Sequence, residues 1–376
     1  MKEKRHIAVA CGGTGGHVMP GLATAMQLRD RGHDVTLWLT GKAVEDQSAD
    51  SWPGPVVRVP AQGFPTRFSF KGLASAWRLW RAVRICRRRM REDAPDVLLA
   101  MGSYASAGPA LAAWRLRIPL VLHEANVLPG RAVRLLSRVA RAVACHFEET
   151  RYYLPGRKLI VTGMPLRREL DPSIRRDPPA GLSGEGFTVL IIGGSSGAHR
   201  LNEVVSEALS EITRRKIPVR VLHVSGSKDV DWLRERYQEA GTPAVVYPFV
   251  QEIAALYQAA DLVVCRAGAS TCTELCLFGV PALLVPLPHA ANDHQTVNAR
   301  ALEKAGAADV VPEKDVSSTW LADYIAASIQ DTARLARMRT ALQSRVPEHG
   351  AERLADLVEQ CAAGDPLPPA GESGDG

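Results

Sequence analysis

Two glycine-rich turns carry the plainest chemistry in this chain: Gly12-Gly13-Thr14-Gly15-Gly16-His17 and Gly193-Gly194-Ser195-Ser196-Gly197-Ala198. Each follows a short apolar run and opens a helix-like stretch. Glycines let backbone N–H groups approach an anion closely, and a helix N-terminus adds a favourable dipole. Such turns suit a phosphate-bearing ligand. The first turn lacks the closing Lys-Ser/Thr of a P-loop and does not spell G-x-G-x-x-G, which weakens an ordinary NTPase or dinucleotide reading. His17 stands at the helix start, where neighbouring N–H dipoles favour the neutral imidazole. It suits a general base or a hydrogen-bond donor to phosphate or sugar; the plainer alternative is a histidine bonded to nearby backbone.

Three further constellations follow expected strands. Met101-Gly102-Ser103-Tyr104 offers a second small-residue loop, and His123-Glu124-Ala125-Asn126 turns a carboxylate and an amide towards one cleft. The alternative for the latter is a buried hydrogen-bond cluster. Cys265-Arg266-Ala267-Gly268-Ala269-Ser270-Thr271-Cys272-Thr273-Glu274 joins a glycine turn to a hydroxyl-rich helix start. Glu274 could accept from a ribose diol, but Thr271-x-x-Glu274 also matches a capping box, in which the glutamate only caps its own helix. Last comes a polar cluster of His289, Asn292, Asp293, His294, Gln295 and Asn298, suited to a sugar or to solvent.

The elements that must position these residues are short β-branched or leucine-rich runs alternating with helix-length segments. Strands are expected at 6–11, 34–39, 55–59, 97–101, 118–123, 142–146 and 158–162, then at 187–192, 218–224, 244–247, 262–265, 282–286 and 308–311. That alternation means βαβ units and parallel sheets, with ligands at the C-terminal ends of the strands. A chain of 376 residues suits two domains. The expected division is 1–167, a Pro- and Gly-rich linker at 168–186, a second domain at 187–363 whose last helix can pack back on the first, and a disordered tail at 364–376.

Composition excludes several classes. The seven cysteines form no CxxC or zinc spacing and point to free thiols in a reducing cytosol. The basic N-terminus runs straight into the first strand, so no signal peptide is expected. No apolar run approaches the ~20 residues that span a bilayer. Residues 1–165 hold 25 Lys and Arg against 12 Asp and Glu, whereas the remainder is net acidic. The first half therefore meets something anionic. No recognised nucleic-acid motif accompanies that charge, so nucleic acid is not an expected partner.

Residues 66–91 carry nine Lys and Arg and no acid. Leu73, Ala76, Trp77, Trp80 and Val83 fall at helical spacing, beside a stripe of Arg78, Arg81, Arg84 and Arg88. Arginines next to Trp and Phe suit the headgroup layer of an anionic bilayer. The alternative is a helix packed on the first sheet with its arginines in water. Both can hold, with Phe68, Phe70 and neighbouring arginines meeting lipid.

Taken together these motifs resemble the MurG family of glycosyltransferases over nearly all of residues 5–350. The most specific runs are Gly12–Ala23, Pro119–Asn126, Gly193–Asn202, Val264–Pro281 and Leu302–Ala307. The resemblance implies an α/β GT-B fold, two Rossmann-like domains with parallel sheets facing across a cleft. It implies an inverting hexosyltransferase that moves N-acetylglucosamine (GlcNAc) from UDP-GlcNAc to the C4 hydroxyl of undecaprenyl-pyrophosphoryl-MurNAc-pentapeptide, turning lipid I into lipid II in peptidoglycan synthesis. Carried across motif by motif, the donor contacts are Thr14, Gly15, Gly16, Asn126, Arg167, Ser195, Val250, Ala269, Ser270, Thr271, Cys272, Thr273, Glu274 and Gln295. Val250 would offer its backbone to uracil, and Glu274 its carboxylate to ribose. Gly13, Gly102, Ser103 and Tyr104 form the implied acceptor pyrophosphate loop. The implied setting is peripheral, on the cytoplasmic face of the inner membrane, with lipid I, an anionic membrane surface and the cell-wall and division machinery as partners. Two positions depart from the family: Ser103 replaces a glycine of its Met-Gly-Gly-Tyr loop, and Met164 replaces an asparagine before Pro-x-Arg167.

An inverting transfer needs a base on the acceptor hydroxyl while UDP leaves from the opposite face. His17 and Glu124 are the candidates, with His17 favoured as base or acceptor orienter and Glu124 in support, since an exposed glutamate is a weak base. Glycine-turn N–H groups and Arg167 would stabilise the leaving diphosphate. No Asp-x-Asp stands at a strand end to hold Mg²⁺, so neither metal nor cofactor is expected. The rival readings are a UDP-GlcNAc 2-epimerase on the same fold and a non-catalytic membrane adaptor.

Overall fold

A computed structural model describes residues 3–367, with the exception of 14, 43–44, 46–48, 51, 61–69, 183–184, 194–197, 251, 289, 291–292 and 346–348. All thirteen expected strands are present, within a few residues of their expected ends. Their sequences are near-continuous apolar runs, as strands covered on both faces require.

The first unit holds a seven-stranded, all-parallel sheet in the order β3-β2-β1-β4-β5-β6-β7. Its strands are β1 (His6–Ala10), β2 (Asp34–Leu39), β3 (Val56–Arg58), β4 (Val97–Ala100), β5 (Leu120–Glu124), β6 (Ala142–Cys145) and β7 (Leu159–Val161). Helices α1 (Gly15–Asp30), α2 (Phe70–Glu92), α3 (Ala107–Arg115) and α4 (Arg131–Leu136) cross between them. Strand order reverses at β1 and β4. The loops after those two strands therefore flank the switch point, where open α/β sheets bind ligands. Helix α1 lies close against β1, for a Cβ at Gly21 would fall 2.3 Å from that of Cys11.

The second unit repeats the plan with six parallel strands in the order β10-β9-β8-β11-β12-β13. They are β8 (Phe187–Ile192), β9 (Val219–Val224), β10 (Ala244–Tyr247), β11 (Leu262–Cys265), β12 (Ala282–Leu284) and β13 (Asp309–Val310). Helices α5 (His199–Arg214), α6 (Val230–Glu239), α7 (Ile253–Ala259), α8 (Ala269–Phe278), α9 (His294–Lys304), α10 (Ser318–Gln330) and α11 (Thr332–Gln343) cover it. Its switch point lies between β8 and β11, at the Gly193 turn and the Gly268 turn.

The last helix, α12 (Gly350–Ala363), belongs to the first unit. Leu354, Ala355, Leu357, Val358 and Cys361 join the core formed with α1. Arg31 pairs with Asp356 at 2.6 Å and His33 with Glu359 at 3.1 Å. The described residues that follow Arg168 belong to the second unit, where Gln258 receives the Arg176 N–H and donates to the Ile174 carbonyl. Of the 364–376 tail, residues beyond 367 lie outside the described set.

Helix α2 shows which of its residues turn inward. Its inward face is Leu79, Ala82, Cys86 and Met90, whereas Trp77 and Trp80 are 58% and 53% exposed. Arg81 lies over the Trp77 ring and Arg84 over that of Trp80, at 5.9 and 4.8 Å from the centroids. Tryptophan and arginine thus share one surface instead of dividing the helix between core and water. Small residues at 82 and 86 explain this: they let α2 settle onto α3, whose Gly108 lies beside Ala82 and Cys86. Phe68 lies outside the described residues.

Candidate active site

Four strand ends of the first unit converge. The turn after β1 gives α1 a first helical turn without an acidic residue, which leaves its dipole to an outside anion. Gly15 and Gly16 begin that helix; beside Gly15 a Cβ would meet nothing within 4 Å. His17 follows, half-buried. It lies within electrostatic reach of His123, which is 1% exposed and whose imidazole lies 3.4 Å from the Gly163 carbonyl. Burial, and secondarily the charge of His17, push His123 down to about 4, so His123 is neutral.

Glu124 is the last residue of β5, not the first of a loop, and it is buried. Its Oε1 accepts the Asn126 backbone N–H at 2.9 Å and the Asn126 side-chain amide at 3.1 Å, while Oε2 accepts from the Gly130 N–H at 2.8 Å. The carboxylate thus holds the 124–130 loop and orients Asn126. Burial raises its pKa against the pull of those hydrogen bonds. Because side chains alternate along a strand, His123 and Glu124 set out from opposite faces of the sheet. Val121 lies in the core with α1, and Leu122 in the core with α4. His123 and Glu124 therefore leave the end of β5 on opposite sides.

The loop after β4 closes the group. Gly102 has φ of +82°, and a Cβ there would fall 2.6 Å from the His123 carbonyl oxygen, so only glycine fits. Ser103 is buried, its hydroxyl donating to the Gly12 carbonyl and receiving the Ala105 N–H at 3.1 Å. The departure from glycine at 103 therefore fastens two loops together. Tyr104 is exposed and receives a hydrogen bond from Lys42. The amide of Gly13 is occupied by Glu45 at 2.7 Å. Gly13 thereby shapes the turn, its N–H bonded inside the protein. Arg167 is half-buried in the irregular stretch after β7. Thr14 lies outside the described residues.

In the second unit, α8 starts at Ala269 with Gly268 as its N-cap and no side-chain cap among the described residues. Thr271 and Glu274 are both interior to the helix, so the capping box is not built. Instead Glu274 Oε2 accepts from the buried Tyr257 hydroxyl at 2.9 Å. Ala269 is buried, Ser270, Thr271 and Glu274 half-buried, but Cys272 and Thr273 are fully buried. The Cys272 N–H bonds the Gly268 carbonyl, and the Thr273 hydroxyl the Ala269 carbonyl at 2.8 Å. Both residues take part in the packing of the helix. Gln295 sits in the first turn of α9 and accepts the Leu287 N–H at 2.9 Å. Val250 is half-buried after β10, and Ser195 lies outside the described residues.

Two supports had no sequence signal beyond their residue types. Arg266, 7% exposed, pairs with Glu313 and donates to the Val285 carbonyl at 3.1 Å. Under the Gly193 turn, Asn202 donates to the Ser225 carbonyl and to Asp229, and His223 bridges Asn202 to Tyr237. Asp229-Val230-Asp231, an Asp-x-Asp in the segment after β9, is engaged: Asp229 by Asn202 and His199, Asp231 by Arg234 at 3.5 Å.

Two doubly wound parallel sheets, each with glycine turns at its switch point, make up the GT-B architecture of nucleotide-sugar transferases. The chain belongs to glycosyltransferase family 28, whose N-terminal domain matches residues 7–145 and whose C-terminal domain matches 188–359. Its relatives within that family are the MurG transferases. A Cupriavidus necator protein named UDP-N-acetylglucosamine–N-acetylmuramyl-(pentapeptide) pyrophosphoryl-undecaprenol N-acetylglucosamine transferase is 39% identical, with 96% of this chain and 99% of that protein covered. One of the same name from Geobacter sulfurreducens is 35% identical over 93% of this chain and 97% of its own length. The crystal structure of Acinetobacter baumannii MurG superposes with a TM-score of 0.77 at 29% identity, covering 95% of this chain and 99% of that one. A Listeria monocytogenes putative UDP-N-acetylglucosamine 2-epimerase reaches 0.72 at 14% identity, with 97% and 98% covered, which speaks for the fold alone.

Proposed function

We propose that the protein transfers N-acetylglucosamine from UDP-GlcNAc to the C4 hydroxyl of undecaprenyl-pyrophosphoryl-MurNAc-pentapeptide with inversion, the lipid I to lipid II step of peptidoglycan synthesis. One observation carries this reading: a transferase of that name matches 96% of this chain, whose two parallel sheets each have a switch point followed by glycine-bearing sequence.

In this mechanism the second unit holds the donor. The α8 N-terminus, without a side-chain cap, meets the diphosphate, and Arg167 helps neutralise charge that builds on the departing UDP. Glu274, held by Tyr257, takes the ribose diol. The loops of the first unit receive the acceptor. His17 takes the C4 proton, or orients that hydroxyl, beside the neutral His123. Glu124 supports the site by setting Asn126.

The same reading includes a peripheral place on the cytoplasmic face of the inner membrane, near the cell-wall and division machinery. No described helix is long and apolar enough to cross a bilayer. The exposed Trp77 and Trp80, each under an arginine, suit an anionic headgroup layer.

Radiolabelled UDP-GlcNAc with a short-chain lipid-linked muramyl acceptor tests the chemistry. The expected product is the β(1→4) disaccharide on the lipid; release of ManNAc without acceptor, or binding without turnover, would overturn it. For the membrane surface, sedimentation with anionic vesicles is expected to weaken as salt rises and again in Arg87, Arg88 and Arg89 to Gln variants. Salt-insensitive absence from the vesicles would remove that part.

A further inference from the structure

Glu45 belongs to none of the motifs, yet its carboxylate receives four hydrogen bonds. It follows β2 and is 0% exposed. Oε1 accepts the Gly13 N–H at 2.7 Å and the Thr40 hydroxyl; Oε2 accepts the Thr40 N–H at 2.6 Å and the Gly41 N–H at 3.1 Å. Burial works to raise its pKa, but these four donors reverse that and hold it below the usual carboxylate range.

The carboxylate fills the space beneath the glycine turn. A Cβ at Gly12 would fall 2.8 Å from Thr40 Cγ2 and 3.4 Å from Glu45 Oε1. The opposite side of the turn is fastened too, by the Ser103 hydroxyl on the Gly12 carbonyl. Two adjacent glycines are the costliest residues to order, and a buried N–H without an acceptor is destabilising. A fixed anion below the turn removes that cost before any ligand arrives.

We propose that Glu45 is a positioning residue of the transfer: an internal anion that holds the Gly12–Gly13 turn so that the Gly15 and Gly16 amides and His17 stand ready for the acceptor. This rests on the reading that the first unit's strand-end loops receive the acceptor. Glu45 itself touches no substrate. It acts through the backbone of the turn.

The test uses the full-length protein with Glu45→Gln, which keeps the shape but loses the charge and turns an amide donor towards backbone N–H groups. A milder variant, Thr40→Val, removes only the hydroxyl donor. Initial rates are measured with acceptor and donor varied separately, alongside deuterium exchange of the turn amides and urea unfolding. For Glu45→Gln, kcat/KM for the acceptor is expected to fall at least ~10-fold while the donor KM stays within about 2-fold, with faster exchange at Gly13. Thr40→Val gives a smaller change of the same kind, and serves if Glu45→Gln does not fold. Unchanged exchange in either folded variant overturns the clamp, as does a fall in rate that only tracks the loss of folded protein. Faster exchange with the kinetic loss moved to the donor KM would keep the clamp and overturn the placing of the acceptor on these loops.

Discussion

The two units share a topology but fasten their ligand loops by opposite chemistry. In the first, buried carboxylates lie under the loops and occupy amides: Glu45 takes those of Gly13, Thr40 and Gly41, and Glu124 those of Asn126 and Gly130. In the second, buried donors hold carbonyls: Arg266 those of Val285 and Pro286, Asn298 that of Ala267, and Asn202 that of Ser225. A loop held by its carbonyls keeps its N–H groups for an anion, which is what a leaving diphosphate needs. A loop held by its amides is rigid but less electropositive, better matched to presenting a hydroxyl near a base. Each unit has an exception: in the second, Gln295 accepts from Leu287, and in the first, the Ser103 hydroxyl donates to the Gly12 carbonyl.

The largest expected effect breaks the second unit's side of this contrast. Arg266→Met strips two carbonyls of their donor and leaves Glu313 without its partner, which should cost about 3–5 kcal/mol of stability in urea unfolding. A loss below about 1 kcal/mol would show that the loops are held by packing instead. On the first unit, His17→Ala should lower turnover by at least ~10²-fold with an unchanged unfolding midpoint. Near-normal turnover would take the proton-handling role away from it.

Each unit also buries one neutral histidine near its strand ends, and these sharpen the comparison through pH. Burial pushes His123 down to about 4 and His223 to about 3, both below the ordinary histidine value of about 6.5. The unfolded chain then binds more protons than the folded one below pH ~6.5, so stability rises with pH there and is lost as pH falls, by about 1 kcal/mol per histidine between pH 7 and 5.5. His123→Asn and His223→Asn should each flatten that slope in paired urea titrations. An unaltered slope in both would mean that other groups set it.

The smallest effect concerns Glu274. Tyr257→Phe removes its hydrogen-bond donor and should raise the UDP-GlcNAc KM about 5-fold, corresponding to about 1 kcal/mol, while kcat holds. The variant should also discriminate less between UDP and 2′-deoxy-UDP. Equal discrimination in both proteins would detach Glu274 from the ribose.

Local physics made much of this legible in the sequence. Both sheets were readable because strands covered on both faces must be apolar runs, and helix-length spacers force parallel pairing. The turns were readable because glycine alone allows the approach a phosphate requires. What tertiary structure alone decided is where each polar side chain sends its hydrogen bonds. Glu45 lies 32 positions from the amide it holds, Arg266 lies 47 from its glutamate, and Trp77 faces out because Ala82 and Cys86 fit closer to α3. Periodicity records which residues are apolar, but a buried carboxylate is defined by donors that arrive from other strands, and only folding brings those together.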